Sequence, residues 1–245
     1  HQSLDPFVAL SFAAAVTERL RLLTYLSVAP YRNPCLLAKT AASVDALSGG
    51  RLVLGLGTGY LKGEFRALGV DVDERNLLFD EALDVLPRHW SGEPFDYDGT
   101  HFTCRGTIGL PRPVQDPIPI WIGGNAHRTL ERVARRARGW MPLVGPAELF
   151  GTVRSPAVTG PDDLARRIGR LAELAGDRFG ELDIVVPYTD PTLVDPTRDV
   201  ERHRDRLGRL AELGATVVVV APPPAAARDA TATASFVESF AAVHL

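Results

Sequence analysis

The chain has 245 residues, of which 45% are hydrophobic, and its 22 glycines and 19 prolines are spread along its length. A formal net charge of -3 argues against the broad basic surface of a protein that binds nucleic acid or a membrane surface, and no apolar run is long enough to span a bilayer. Two cysteines, Cys35 and Cys104, offer neither a disulfide framework nor metal-ligand spacing, so we expect a cytoplasmic protein with no metal site.

Short apolar runs alternate with helical patterns along the chain. The first helix is predicted at Pro6 after the N-cap Asp5, and the second at Pro34 after Asn33. The predicted strands are 21–29, 51–57, 119–123, 140–143, 182–187 and 216–221. The later helices are predicted at 74–90, with Pro87 kinking or ending the helix, and at 126–138, 162–175, 197–213 and 225–243. Strands that are apolar throughout, alternating with helices, predict a parallel sheet covered on both faces.

Two forms of parallel sheet compete, an open doubly wound sheet and a closed β/α barrel. The glycines at 55, 57 and 59 do not have the G-x-G-x-x-G spacing of a dinucleotide-binding open sheet. Glycine-rich strand ends recur in several units, which favours a TIM-type barrel whose site is assembled from many strands. Only six strands are visible where a full barrel has eight. We predict one domain over 1–245, with an excursion at about 91–117 that contains a hairpin near 97–100.

A glycine pair follows the strand around Trp121. Gly123 and Gly124 allow close approach of a ligand to the backbone, and Asn125 is predicted to cap the next helix. One helical turn later, the guanidinium of Arg128 has several N–H groups that can donate to an anion. This combination predicts a phosphate site at a helix N-terminus. The alternative is a tight strand-to-helix turn beside a solvated arginine.

Six motifs carry a family resemblance over about the first 145 residues. They are Asp5-Pro-Phe-Val-Ala-Leu10, Ala29-Pro-Tyr-Arg-Asn-Pro34, Leu47-Ser-Gly-Gly-Arg-Leu52, Gly55-Leu-Gly-Thr-Gly-Tyr60, Glu64-Phe-Arg-Ala-Leu-Gly69 and Trp121-Ile-Gly-Gly-Asn125. Together they resemble the bacterial luciferase-like monooxygenase superfamily, in particular its deazaflavin-dependent oxidoreductase branch. The resemblance implies an eight-stranded β/α barrel, often dimeric, that binds FMN or the deazaflavin coenzyme at the carboxyl ends of its strands. It also implies that this chain lacks the first two βα units.

The resemblance places a non-prolyl cis peptide bond near Thr24, Tyr25 and Leu26, where a bulge would support the flat ring of the cofactor. Tyr25 is alternatively an ordinary core aromatic of a buried strand. The resemblance further implies that Thr58, Gly59 and Tyr60 line the barrel mouth.

Catalytic roles are implied for two residues. Tyr60 would lie beside the ring or the substrate, and some sugar-phosphate-oxidising relatives carry glutamate at this position, so tyrosine argues against that substrate class. His1 lies where relatives often carry a histidine, and would donate or accept a proton.

The function implied by the resemblance is hydride transfer between the deazaflavin coenzyme, coenzyme F-420, and a small organic substrate by a homodimer. One alternative is an FMN-dependent monooxygenase that receives reduced flavin from a separate reductase. Others are a non-catalytic flavin-binding relative and a phosphate-sugar isomerase on the same barrel.

Overall fold

The computed structural model describes residues 4–153, 155–224 and 226–244. Its helices are α1 (Pro6–Val16), α2 (Pro34–Ser48), α3 (Lys62–Ala67), α4 (Arg75–Trp90), α5 (His127–Arg136), α6 (Ala147–Val153), α7 (Pro161–Ala175), α8 (Val200–Glu212) and α9 (Ala230–His244). Its strands are β1 (Leu22–Leu23), β2 (Ser27–Val28), β3 (Leu52–Gly57), β4 (Phe95–Asp98), β5 (Thr103–Thr107), β6 (Ile120–Gly123), β7 (Gly139–Met141), β8 (Asp183–Tyr188) and β9 (Val217–Val220).

The main sheet is parallel and curled, in the order β1, β3, β6, β7, β8, β9. Strand β2 also pairs with β3, four residues of β3 further along than β1, so β1 and β2 are halves of one interrupted strand. The sheet therefore has the six strand positions that the sequence predicts. The expected α/β fold of the TIM-barrel type is confirmed, and the described residues form six of its strand positions.

Alternate residues of the strands enter two separate apolar clusters. Leu54 and Ile122 face outward into the large core beneath the helices, whereas Val53, Trp121 and their neighbours face the inside of the curled sheet. Both sets are buried, and each buried leucine or isoleucine contributes roughly 1.5–3 kcal/mol. Because both faces are covered, the strands have no polar alternation, as their sequence indicates.

The helix ends follow the local sequence in most places. The Asp5 and Asn33 carboxylate and amide oxygens accept backbone N–H bonds at the starts of α1 and α2. Helix α4 continues through Pro87 to Trp90, so the alternative that Pro87 ends the helix is wrong. The proline stands in the last turn, where only one intrahelical bond depends on its missing N–H. Within the described residues, no helix is both long and apolar enough to cross a membrane.

The excursion contains an antiparallel hairpin of β4 and β5. Two buried carboxylates attach it to the helices. Glu81 of α4 accepts the backbone N–H groups of residues 100–102 at 2.9–3.2 Å, and Asp45 of α2 accepts those of residues 114–115 at 2.8 and 3.0 Å. The carboxylates are 3% and 0% exposed, so these bonds offset the cost of burying their charges. The excursion is therefore fixed at its hairpin turn and again near its C-terminal end.

Candidate functional site

The carboxyl ends of the parallel strands meet at one edge of the sheet, which we call the mouth. The break between β1 and β2 lies here. The Thr24 hydroxyl donates to the Gly55 carbonyl and accepts the Gly55 N–H, both at 2.8 Å. Thr24 is 1% exposed, and a Cβ at position 55 would overlap its carbonyl oxygen. The Thr24 hydroxyl therefore joins the bulge to β3, and the predicted contact of Thr24 with a cofactor stays a prediction.

The next peptide bond, between Tyr25 and Leu26, is cis, which confirms the expectation from the resemblance. The Leu26 side chain extends across the ends of two neighbouring strands. A Cβ on Gly57 would lie 2.6 Å from Leu26 Cδ1, and a Cβ on Gly123 would overlap Leu26 Cδ2. The two glycines therefore make the space that Leu26 occupies. Leu26 is 40% exposed and Tyr25 is 52% exposed, so Tyr25 is not a core aromatic.

The loop after β3 continues the apolar rim of the mouth. Gly59 has φ +74°, and a Cβ there would lie 2.7 Å from Val28 Cγ1, so this turn requires glycine. Tyr60 and Leu61 follow it and both remain exposed, while Thr58 is half-buried at the strand end. Leu61 was not predicted. Its only signal in the sequence is its position directly after the glycine turn.

Two tyrosines beside the mouth are held in their protonated form. Partial removal from water raises the pKa of Tyr25. The Tyr31 hydroxyl donates to Glu64 Oε2 at 2.7 Å, and its pKa is also raised, first by burial and then by the Glu64 carboxylate. Both hydroxyls are therefore hydrogen-bond donors at neutral pH.

The glycine turn after β6 contains two backbone N–H groups that the sequence predicts as phosphate donors. Both of them already have acceptors within the protein. Gly124 has φ +114°, and its N–H donates to the Met141 carbonyl at 3.1 Å. The N–H of Asn125 donates to Ser155 Oγ at 3.3 Å. These two amides are therefore not free for a ligand.

Asn125 does not cap helix α5, so that prediction is wrong. Its fully buried side chain donates to the carbonyls of Leu143 and Pro156 at 2.7 and 2.9 Å and accepts the Leu143 N–H at 2.9 Å. The N-cap is Ala126, whose side chain makes no capping bond. The amide instead fastens the segment after β7 to the glycine turn, because that segment has backbone groups to satisfy.

An uncapped helix start remains beside Gly124. Within the described residues, the backbone N–H groups of His127 and Arg128 have no acceptor. The Thr129 hydroxyl lies 3.5 Å from the point that a Cβ on Gly124 would occupy, and Thr129 is 7% exposed. We call Gly124, these two N–H groups and the Thr129 hydroxyl the anion seat, since helix N-termini favour negative charge. Thr129 was missed, although a hydroxyl at the third helical position is a usual signal.

The Arg128 guanidinium forms an ion pair with a carboxylate of α4. Its Nη2 lies 3.0 Å from Asp80 Oδ2 on α4, and Asp80 also binds the buried Arg132 at 2.6 Å. The predicted anion contact of the Arg128 side chain stays a prediction, and the Asp80 carboxylate of α4 would compete for the same guanidinium. His1 lies outside the described residues, and those residues contain no cluster of three or more potential metal ligands.

Comparison with known proteins places this geometry in context. The family model "Luciferase-like monooxygenase" matches residues 1–155. The uncharacterized protein Rv0953c of Mycobacterium tuberculosis is 33% identical over 242 residues, which cover 98% of this chain and 76% of the relative. An FMNH(2)-dependent dimethylsulfone monooxygenase of Pseudomonas putida is 31% identical over 129 residues, covering 51% of this chain and 35% of that enzyme.

A solved structure has the same fold over almost the whole chain. It is an F-420-dependent secondary alcohol dehydrogenase in complex with an F-420–acetone adduct. The TM-score is 0.76 at 17% identity, with 99% of this chain and 84% of that chain covered. At this identity the likeness concerns the fold alone.

Proposed function

We propose, because the chain belongs to the luciferase-like monooxygenase family, that this oxidoreductase transfers a hydride between the deazaflavin coenzyme F-420 and a small organic substrate. The observation that carries the proposal is the adjacency of two surfaces at the mouth. Leu26 lies over Gly123, and the next residue, Gly124, opens onto the Thr129 hydroxyl. An exposed apolar surface beside an anion seat is what an aromatic ring with a phosphate-bearing tail requires.

The residues present fit such a group. The exposed side chains of Tyr25, Leu26, Tyr60 and Leu61 would cover the ring, and the anion seat would hold a phosphate. A bound deazaflavin supplies two-electron hydride transfer. The chain's own contribution is to bind, to orient and to exclude water, with the protonated Tyr25 hydroxyl as a donor at the rim.

A titration tests the proposal directly. Coenzyme F-420 is added to the protein and to the Thr129→Val variant, which keeps the shape of the side chain but removes the hydroxyl. Loss of a bond to a charged phosphate should raise Kd about tenfold, equivalent to about 1.4 kcal/mol. The matched control is Thr40→Val, whose hydroxyl binds only the Leu36 carbonyl of its own helix on α2.

Each outcome is informative. Equal affinities of the Thr129→Val variant and the original protein would move the phosphate away from the anion seat. Failure of the unaltered protein to bind either F-420 or FMN would overturn the proposed function. Binding without any hydride transfer to or from small alcohols, aldehydes or ketones would favour a non-catalytic role.

A second candidate is an FMN-dependent monooxygenase that takes reduced flavin from a separate reductase. The similarity to the Pseudomonas putida enzyme over half of the chain favours it. The same anion seat accepts an FMN phosphate, because its donors recognise the phosphate rather than the ring. Dioxygen consumption that depends on FMNH2 and on a third compound would select this alternative over the deazaflavin reaction.

We also propose a homodimer formed through α1. This helix has no charged residue, and three of its large apolar side chains, at intervals of four, are 54–82% exposed: Val8, Phe12 and Val16. A helix that is apolar on every face normally becomes buried, and a second copy of this row is a self-complementary partner. Sedimentation equilibrium tests this, and a monomer at all micromolar concentrations would contradict it.

A further inference from the structure

The two cysteines lie against each other, away from the anion seat. Cys35 is the second residue of α2, and Cys104 lies on β5 of the excursion hairpin. Their Sγ atoms are 3.6 Å apart, although the residues are 69 positions apart in the chain. A disulfide requires about 2.05 Å between the sulfurs, so bond formation needs a closure of only about 1.5 Å.

Both backbones are fixed around this contact. The Cys35 N–H donates to Asn33 Oδ1 at 2.9 Å in the helix cap, and Cys104 pairs with Tyr97 across the hairpin. The adjoining turn is held by the Glu81 carboxylate. The two thiols are therefore neighbours because of packing on both sides, and not because of a single flexible loop.

Access and acidity set how the pair would react. Cys35 is half-buried and Cys104 is buried, so a reagent from solution reaches Cys35 first. Burial and the neighbouring Cys104 thiol raise the pKa of Cys35 to about 11. At neutral pH few molecules carry the thiolate, so reaction of an isolated Cys35 is slow, while the second step is intramolecular.

We propose that Cys35 and Cys104 are a redox-active pair that forms an intramolecular disulfide with a low-molecular-weight disulfide as oxidant. The Cys35 thiolate attacks one sulfur of the oxidant, a mixed disulfide forms, and one small thiolate leaves. The Cys104 thiolate then attacks the Cys35 sulfur, the protein disulfide forms, and the second small thiolate leaves. The two cysteines are oxidised, the small disulfide is reduced to two thiols, and the protons from the cysteines pass to those thiols.

The bond would join two parts of a groove beside the mouth. The segment that precedes α2 supplies Tyr31 and Arg32 to this groove, and the hairpin supplies His101 and Phe102. The groove has a volume of about 490 Å³. Oxidation would therefore fix the separation of its two walls, and this inference holds whichever cofactor the mouth binds.

The test incubates the native protein with oxidised glutathione and measures the intact mass and the linked peptides. We expect the loss of two hydrogen atoms, a Cys35–Cys104 linked peptide, no retained glutathione, and reversal by dithiothreitol. The thermal midpoint should rise by roughly 5–10 °C, because the bond closes a long loop in the unfolded chain. Cys35→Ser and Cys104→Ser should show no such rise.

Retained glutathione on both cysteines, or dimers linked by a disulfide, would overturn the proposal. An unchanged mass would overturn it as well. The Cys104→Ser variant adds a separate check, because it should trap the mixed disulfide at Cys35. If instead it remains unmodified while the unaltered protein loses its two hydrogens, the proposed order of attack is wrong.

Discussion

The Asn125 amide permits a prediction whose size follows from its contacts. Replacing Asn125 by alanine leaves three backbone groups without their partners: the Leu143 N–H, the Leu143 carbonyl and the Pro156 carbonyl. Each unpaired buried group costs about 1–3 kcal/mol. With some relaxation of the segment, we expect a loss of about 3–5 kcal/mol, or a decrease of roughly 10 °C in Tm.

The matched control is Asn33→Ala. The Asn33 side chain is exposed and accepts one N–H bond, that of Cys35, so its loss should cost only about 1 kcal/mol. Thermal unfolding followed by circular dichroism compares the two variants. Limited proteolysis adds a local readout, because the Asn125 variant should gain cleavage within 143–156. Equal decreases in Tm, with no new cleavage there, would refute the assigned role of the amide.

Two further predictions concern the mouth and the pH dependence of stability. Gly57→Ala should displace Leu26 and weaken F-420 or FMN binding, with little change in Tm, because the new Cβ meets the flexible end of a side chain. In the background of Leu26→Ala the same substitution should have no further effect on Kd. Additive effects of the two substitutions on Kd would contradict the role of Gly57 in making room for Leu26. The pKa of the buried His203 is lowered from its usual value of 6.5, first by burial and then by His244 and Arg202. Below that pH the unfolded chain takes up a proton more readily than the folded chain does. The contribution of neutral His203 to the free energy of unfolding is therefore complete above pH 6.5 and is lost as the pH falls. His203→Gln should flatten the dependence of the urea midpoint on pH below about 6.5, and an unchanged slope would exclude His203 as its source.

The sequence predicted the elements that are determined locally or by burial. All six strand positions follow from apolar runs, since both faces of this sheet are covered. The starts of α1 and α2 follow from a capping side chain directly before a proline. The short helices α3 and α6 were missed, because six or seven residues give too few turns for a clear periodicity.

The contacts within the candidate site could be predicted from the sequence only in part. The residues at the mouth and the cis peptide came from the resemblance, since no residue pattern indicates such a bond. The partners of Asn125 lie 18 and 31 positions away, and that of Arg128 lies 48 positions away. Such contacts depend on how distant segments pack, so a local pattern assigned Asn125 to a cap and Arg128 to an anion. Thr129, which the sequence reasoning did not single out, is a further hydroxyl beside Gly124.

The buried Asp45 and Glu81 carboxylates have a practical consequence for engineering. Glu81 holds the turn of the hairpin to α4, and Asp45 holds the segment after the hairpin to α2, so the end of the hairpin where β5 finishes carries neither attachment. Gly106 lies near the end of β5, away from that turn; it is exposed, with φ +52° and open space where a side chain would stand. A fluorescent label on the exposed surface of the hairpin near this point would report on the groove wall while leaving the strand order of the main sheet intact.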